Sequence, residues 1–222
     1  MNPELFVTSD GSHSLRIRGT ETTYHSKSGA ISESRHVFIN AGLRPLLNRE
    51  DQLPVLEIGF GTGLNALLTY MEGENSKKPI HYECIDTFWL EPDLVASLNY
   101  CECLNRSDLK SVFTLLHDSD LEKKLLIGNY FQFQKIQCSL LDFNPSKRFQ
   151  IIYLDTFAPD EQPELWTLEV FDRLYHWLLP RGLVVTYSAK GAVRRALSSA
   201  GFIIERLPGY FPKKEMTRAI RK

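Results

Sequence analysis

Short apolar runs alternate with longer amphipathic stretches from Pro54 to the end of the chain, a pattern that predicts strands alternating with helices. The predicted strands cover residues 55–58, 80–85, 136–141, 151–154, 183–187, 202–206 and 217–220. The predicted helices cover residues 64–70, 93–99, 108–126, 163–178 and 193–200. This order predicts an α/β fold with a Rossmann-like, doubly wound, seven-stranded sheet that is mostly parallel. The loop before the last strand is too short for a helical crossover, so we expect that strand to be antiparallel.

The first fifty residues have a different pattern, so we predict an N-terminal extension over residues 1–50 and the sheet domain over residues 51–222. Within the extension, residues 15–18 and 21–25 are predicted to form a hairpin of two short strands. A helix is expected to begin at Ser32, where a polar turn gives way to spaced apolar residues.

Composition narrows the class of protein. The 222 residues are 43% hydrophobic and 24% charged, which fits a globular chain and excludes a disordered or fibrous one. No run approaches 18 apolar residues, and the N-terminus lacks the features of a signal peptide, so we expect no membrane contact and a cytoplasmic location. The four cysteines form no C-x-x-C pair, and we therefore expect no metal site.

A glycine-rich segment lies where the first sheet strand ends and the next helix begins. Its spacing is G-x-G-x-G after an acidic residue, not the G-x-G-x-x-G of dinucleotide binders. Glycines here allow a sharp turn and close approach to a ligand, and the preceding acid suits a cationic group. This combination is typical of class I enzymes that use S-adenosyl-L-methionine, which we predict as the cofactor. The segment's predicted cofactor-binding residues are Glu57, Gly59, Phe60, Gly61, Thr62, Gly63 and Asn65.

Three further acids follow predicted strand ends, and these ends meet in one crevice of a doubly wound sheet. Asp86 is placed to bind ribose hydroxyls, and Asp142 is placed near the adenine amino group. Asp155 emerges where the transferred methyl group is expected, and we predict that it is catalytic. A carboxylate there can hold a substrate amine, orient its lone pair and take up its proton.

The charge is unevenly distributed. Between Arg181 and Lys222 there are ten lysines or arginines and two glutamates, a local charge of +8 in a chain whose net charge is -1. Such a segment favours a polyanionic partner. On charge alone, the predicted phosphate contacts are Lys190, Arg194, Arg195, Lys213 and Lys214.

Several of these segments together resemble the methyltransferase domain of the MnmC-type tRNA 5-methylaminomethyl-2-thiouridine methyltransferases. The similar segments are the E-x-G-F-G-T-G-L-N loop at 57–65, D-x-F-A-P at 155–159 with Trp166 and Thr167, and K-x-E-M at 213–216. The resemblance implies methylation of the aminomethyl group on a tRNA wobble uridine, with S-adenosyl-L-methionine as donor.

The chain departs from that family in two respects. Thr156 replaces the glycine that commonly follows the aspartate, which adds a side chain beside the reaction centre. Many members also carry a flavin-dependent oxidoreductase domain that generates the amine, and 222 residues leave no room for it. We therefore expect methyl transfer only.

Two alternatives remain open at this stage. A class I transferase acting on a small free amine, like the polyamine synthases, also places an acid after the fourth strand but has no need of a basic tail. A noncatalytic, RNA-binding methyltransferase-like module would have lost the glycines or the acids, and here all of them are present.

Overall fold

The structure, a computed structural model, describes residues 2–222; Met1, the first residue of the predicted extension, lies outside them. The strands of the described chain are β1 (Pro3–Val7), β2 (His13–Ile17), β3 (Leu53–Ile58), β4 (Ile80–Asp86), β5 (Leu125–Ile127), β6 (Phe131–Gln137), β7 (Phe149–Leu154), β8 (Leu178–Thr186), β9 (Ile203–Pro208) and β10 (Glu215–Ile220). Its α-helices are α1 (Ala30–Ser34), α2 (Arg44–Leu47), α3 (Leu64–Ser76), α4 (Pro92–Ala96), α5 (Tyr100–Cys103), α6 (Lys110–Asp118), α7 (Leu168–Trp177) and α8 (Gly191–Ser199). A π-helical segment, Arg35–Leu43, joins α1 to α2.

The central sheet has the strand order β5-β6-β4-β3-β7-β8-β10-β9. The five strands from β6 to β8 run parallel, with Val55 of β3 paired to Tyr82 of β4 and to Ile151 of β7. The three central strands β3, β4 and β7 are almost entirely buried on both faces, as parallel strands covered by helices require. β10 pairs antiparallel with β8 and with β9, which confirms the predicted antiparallel end of the sheet.

The described sheet has eight strands, not the predicted seven. The additional strand is β5, which lies in the stretch predicted as helix to residue 126. Helix α6 ends at Asp118, and the short β5 then pairs antiparallel with β6, which leaves Leu126 exposed and Ile127 buried. Three residues of alternation are too few to be distinguished from a helix end by pattern alone.

The third predicted strand, at 136–141, was also misplaced, because β6 runs from Phe131 to Gln137. Its sequence F-Q-F-Q-K-I-Q buries Phe131, Phe133 and Lys135 on one face. The intervening glutamines break the apolar run into single residues, and this hid a strand of period two.

The predicted hairpin of the extension is confirmed only in part. Around Gly19, the Tyr24 N–H donates to the Leu15 carbonyl at 2.8 Å and the Ile17 N–H donates to the Thr22 carbonyl at 2.9 Å, but residues 21–25 form no regular strand. The observed hairpin pairs β1 with β2, and residues 21–25 contribute one isolated bridge, Arg16 to Thr23. Asp10 organises the intervening turn, since its carboxylate accepts hydrogen bonds from the backbone N–H groups of Ser12 and Ser32. The side-chain geometry of this turn determines the register, and the hydrophobic pattern does not encode it.

The apolar core lies on both faces of the sheet. The extension, the helical run 30–47, α3 and α6 cover one face, while α7 and α8 cover the other. Leu15 and Phe38 of the extension belong to the same core as Val55 of the sheet, and the boundary at residue 50 stays a prediction. Of the helices in residues 2–222, none combines the length and apolar character needed to cross a bilayer.

Candidate active site

A cavity of about 650 Å³ lies at the carboxyl ends of the parallel strands. One wall consists of the segments that follow β3, β4, β6 and β7, and the opposite wall consists of the extension and the loop between β9 and β10. Ligands of doubly wound sheets bind at this edge, where helices on opposite faces diverge. The fold therefore brings the predicted glycine segment and two of the three predicted acids to one place.

The glycine loop adopts backbone conformations that favour glycine. Gly59, Gly61 and Gly63 have φ angles of 90°, 53° and 73°. A Cβ atom on Gly59 would lie 2.5 Å from the carbonyl oxygen of Asp155, and one on Gly63 would lie 2.8 Å from His117 Nε2. The loop thus passes against the end of β7 and leaves backbone at the cavity surface.

Two non-glycine residues of the loop anchor it. The Phe60 ring packs against the rings of Trp89 and His117, at centroid distances of 5.3 and 5.1 Å. Thr62 Oγ1 accepts a hydrogen bond from Tyr100 OH at 3.0 Å, and both Phe60 and Thr62 also border the cavity. Burial lowers the pKa of His117 to about 4, so this ring is neutral where it contacts the loop.

Asp86 holds the opposite side of the loop. Its Oδ2 accepts from the Gly61 N–H at 3.1 Å, and its Oδ1 accepts from the N–H groups of Thr87 and Phe88 at 2.7 and 3.1 Å. Burial raises the pKa of Asp86 above its ordinary value, and these backbone donors act in the opposite direction. The carboxylate borders the cavity, and its binding to ribose hydroxyls stays a prediction.

Glu57 is placed differently from the sequence prediction. Its side chain is fully buried behind the loop, and the residue is not among those that border the cavity. Its two oxygens accept from Asn65 Nδ2 at 2.9 Å and from Tyr82 OH at 2.7 Å, and burial raises its pKa well above the ordinary value. Sequence reasoning missed Tyr82, which lies on the neighbouring strand.

Asn65 connects this buried acid to Asp155. The same Nδ2 group that donates to Glu57 also donates to Asp155 Oδ2 at 2.8 Å. The Asn65 Oδ1 atom is buried and has no hydrogen-bond partner within residues 2–222, although the residue borders the cavity. An acceptor in this state suits a donor group of a bound molecule.

Asp155 follows β7 and is half-buried at the cavity wall. Burial and the nearby Glu33 carboxylate raise the pKa of Asp155 to about 8, while Asn65 and Lys213 act to lower it. Its backbone N–H donates to the Ile58 carbonyl at 3.0 Å, which ties the end of β7 to the end of β3. A carboxyl group of this pKa can exchange a proton near neutral pH.

The segment after Asp155 is held in one shape by side chains from two other elements. Tyr187 OH donates to the carbonyl of Thr156 at 2.8 Å, and Trp166 Nε1 donates to the carbonyl of Phe157 at 3.0 Å. The Phe157 ring meets the Tyr24 ring of the extension edge to face at 5.3 Å. The extension and the sheet domain thus enclose the part of the cavity around Asp155 together.

The part of the cavity around Asp155 is rich in carboxylates, and the sequence pattern had indicated only Asp155 among them. Glu33 is buried at the start of the helical run, and Glu21, Glu161 and Glu164 lie around the mouth. An acid in the first turn of a helix is common, so Glu33 gave no sequence signal of a site.

Asp142 does not reach the cavity. β6 ends at Gln137, and Asp142 is exposed in a later turn, whereas Ser139 and Leu140 border the cavity instead. The error follows from the misplaced strand, and we do not propose Asp142 as a cofactor ligand.

The predicted basic residues do not form one exposed face. Arg194 is only 9% exposed and donates to Glu215 Oε2 at 2.6 Å and to Thr217 Oγ1 at 3.1 Å. Lys213 borders the cavity, Lys190 is paired with Asp160, and Arg195 and Lys214 are exposed. Arg194 is therefore a structural residue, in contrast to the prediction.

The cavity residues fit S-adenosyl-L-methionine. Asn65 Oδ1 and Asp86 offer acceptors for ammonium and hydroxyl donors, and the glycine backbone permits close approach. Ile58, Phe60 and Leu140 supply apolar surface for an adenine ring. No group of metal-ligating side chains is found in the part of the chain that the structure describes.

Two curated proteins similar in sequence to this chain share one name. Relatives from Leptospira interrogans and Pseudomonas fluorescens, each named tRNA 5-methylaminomethyl-2-thiouridine biosynthesis bifunctional protein MnmC, are 30% identical over 219 and 215 residues. These alignments cover 87% and 91% of this chain but only 31% and 32% of the relatives. The chain thus spans about a third of the length of the curated relatives it matches.

The solved structures support the fold. The crystal structure of MnmC2 from Aquifex aeolicus matches with a TM-score of 0.79 and 22% identity, covering 100% of this chain and 70% of the other. Spermidine synthase from Thermotoga maritima matches with a TM-score of 0.60 and 14% identity, covering 99% and 68%. At these identities the matches establish the fold alone. A family model described as S-adenosyl-L-methionine-dependent methyltransferase matches residues 112–222, half of the sequence, and the chain belongs to this family, whose cofactor is S-adenosyl-L-methionine.

Proposed function

We propose that the chain methylates the exocyclic amine of a 5-aminomethyluridine at the wobble position of tRNA. The observation that carries the proposal is the position of Asp155, which ends β7 at the cavity wall, fixed by Asn65 and surrounded by further carboxylates. Such a site suits a cationic or amine substrate, and the names of the relatives supply the identity of that amine.

The bound cofactor supplies an electrophilic methyl group. Asp155 holds the substrate amine by its N–H bonds, so that the nitrogen lone pair is free to point at the methyl carbon. Its carboxylate then stabilises the ammonium that develops and accepts one proton from it. No covalent bond to the enzyme is required, so no cysteine or serine nucleophile is assigned.

The residues around Asp155 prepare it for this role. Asn65 fixes the carboxylate through its Nδ2 group and offers Oδ1 to the ammonium of the cofactor. We propose that Asp86 binds the ribose hydroxyls and that the backbone of Gly59 and Gly61 contacts the cofactor. Glu57 acts behind Asn65 as a buried anchor.

A tRNA substrate also requires contacts to phosphates. We propose the exposed Arg195 and Lys214 for this role, together with Lys190, whose partner Asp160 lies at the surface. We do not include Arg194 and Lys213 among the phosphate contacts, because they form ion pairs with Glu215 and Glu33. We propose a cytoplasmic location for this activity, because the proposed substrate is a tRNA.

Transfer of labelled methyl from S-adenosyl-L-methionine tests the proposal. The acceptors are tRNA carrying aminomethyluridine, the same tRNA already carrying the terminal methyl group, and putrescine as a small free amine. We expect label in the first tRNA only. Label in putrescine alone would support a class I transferase that methylates a small free amine, and cofactor binding without transfer to any acceptor would favour a noncatalytic module.

A further inference from the structure

Lys213 lies in the loop between β9 and β10 and borders the cavity, with 40% of its side chain exposed. Its Nζ is 3.3 Å from Glu33 Oε1 and 4.0 Å from the centroid of the Tyr187 ring. The Tyr187 hydroxyl in turn donates to the carbonyl of Thr156, the residue after Asp155. A helix, a strand end and a loop thus hold this cation beside the proposed amine site.

The loop that carries Lys213 is fixed to the extension at two other points. Tyr210 OH donates to the carbonyl of Ser28 at 2.9 Å, and His36 Nε2 lies 2.7 Å from the carbonyl of Pro208. Glu33 is fixed as well, because its Oε2 accepts from the Ser26 N–H at 2.7 Å. The ion pair between Lys213 and Glu33 therefore joins two segments that are already held in place.

The charges around this pair are mostly negative. The acidic groups that face it are Glu33, Glu161 near Tyr187, and Asp155, whose pKa of about 8 means that it carries its negative charge mainly above that pH. Two further titratable groups, Tyr187 and His25, are uncharged near neutral pH, because burial raises the pKa of Tyr187 well above its ordinary value and lowers the pKa of His25 to about 4. At the mouth of the cavity, Lys27 is paired with Glu21, and Glu164 adds a carboxylate. Lys213 supplies the positive charge that opposes Glu33.

An amine close to two carboxylates retains its proton, because each negative charge favours the ammonium form. An ammonium group has no lone pair and cannot attack a methyl carbon. A nearby cation has the opposite effect and favours the neutral amine. The number of uncompensated carboxylates around the amine thus determines whether the nucleophile is present.

On the basis of the proposed function, we propose that Lys213 is a positioning residue that neutralises Glu33, so that the substrate amine meets one carboxylate, Asp155, and reacts uncharged. The proton that the amine loses on binding goes to water. The proton lost after methyl transfer goes to Asp155. Lys213 itself forms no bond to the substrate in this scheme.

The pH dependence of single-turnover methyl transfer to aminomethyluridine tRNA tests this role. In Lys213→Met, the midpoint of the pH–rate profile should move to a higher pH by roughly one unit. At pH values below the midpoint, the rate should then be about tenfold lower than in wild type. Lys213→Arg should restore the wild-type profile. The double variant Glu33→Gln with Lys213→Met should restore it too, because both charges of the pair are then absent. Lys124→Met, at an exposed lysine outside the cavity, is the matched control.

The proposal would be overturned if the midpoint of the pH–rate profile were unchanged in Lys213→Met while the rate fell equally at every pH. It would also be overturned if the double variant had the same shifted midpoint as Lys213→Met.

A second measurement separates this proposal from the proposed function. Titration of the Asp155 carboxyl by 13C NMR in the ligand-free protein should give a higher midpoint in Lys213→Met and a lower one in Glu33→Gln. A midpoint that responds to neither variant would overturn the proposal. Absence of methyl transfer by the wild-type protein would instead contradict the proposed function, and the titration still decides the charge relationship.

Discussion

Asn65 and Asp155 are 90 positions apart in the sequence, and a hydrogen bond of 2.8 Å joins Asn65 Nδ2 to Asp155 Oδ2. The same amide group also holds the buried Glu57. One side chain therefore connects the loop proposed to bind the cofactor with the carboxylate proposed to bind the amine. Because the two sites share this wall, a donor methyl group and an acceptor nitrogen can be placed next to each other without a moving domain.

The raised pKa of Asp155 predicts a specific pH dependence of stability. This pKa is about 8 in the folded protein and 3.8 ordinarily, so the folded state retains a proton that the unfolded state loses. Stability from this group is therefore complete below about pH 4 and is lost as the pH rises to about 8. Asp155→Asn does not titrate and keeps an oxygen to accept from Asn65.

The Tm of Asp155→Asn relative to wild type should accordingly increase between about pH 4 and pH 8. Differential scanning calorimetry of both proteins in one mixed buffer measures this difference. A difference that stays constant over the range would contradict the raised pKa.

Alanine substitutions at two glycines with similar φ angles can distinguish the cost of backbone strain from the cost of a steric clash. Gly59 has φ 90° and Gly19 has φ 80°, but only a Cβ at Gly59 meets another atom, the Asp155 carbonyl oxygen at 2.5 Å. Gly19→Ala should lower the free energy of unfolding by about 1 kcal/mol through the unfavourable φ alone. Gly59→Ala should lower it by about 3 kcal/mol and weaken binding of the cofactor as well.

Urea unfolding and calorimetric titration with S-adenosylhomocysteine measure the two quantities. Equal losses of stability in the two variants would contradict the close approach of the loop to β7.

Adjacent arginines on α8 are expected to have different roles. Arg194→Met should lower the free energy of unfolding by about 2 kcal/mol, because Glu215 and Thr217 lose a charged hydrogen-bond donor. Arg195→Met should leave stability unchanged, weaken tRNA binding and reduce the slope of log K against log salt by about 1. Chemical unfolding measures the stability of the two variants, and filter binding at several salt concentrations measures their tRNA affinity. A reduced salt slope in Arg194→Met with unchanged stability would reverse the assignment.

Local patterns in the sequence predicted the parts of the site that depend on local structure. The glycine loop, Asp86 and Asp155 lie at the ends of β3, β4 and β7, which the pattern located to within one residue, so their place at one sheet edge could be inferred from the order of elements. The displaced position of Asp142 has the converse cause, since β6 alternates phenylalanine with glutamine and its end was placed too late.

Contacts between distant segments could not be predicted in this way. Glu33 and Lys213 are 180 residues apart, and no pattern in either segment indicates that the two side chains meet. Glu57 shares the face of β3 that carries Val55, which packs in the core under α3. Strand alternation thus contained a signal that Glu57 points beneath the loop, but only the structure provides its partner Tyr82.

The central claim is that Asp155 faces the amine of a wobble aminomethyluridine. Single-turnover methyl transfer by wild type and Asp155→Asn, with nucleoside mass analysis of the tRNA and calorimetry of cofactor binding, tests it most directly. We predict that wild type converts aminomethyluridine to a product one methyl group heavier. We also predict that Asp155→Asn is about 100-fold slower or more while its cofactor affinity is nearly unchanged. Unmodified aminomethyluridine after incubation with wild type, or equal rates in the two proteins, would contradict the claim.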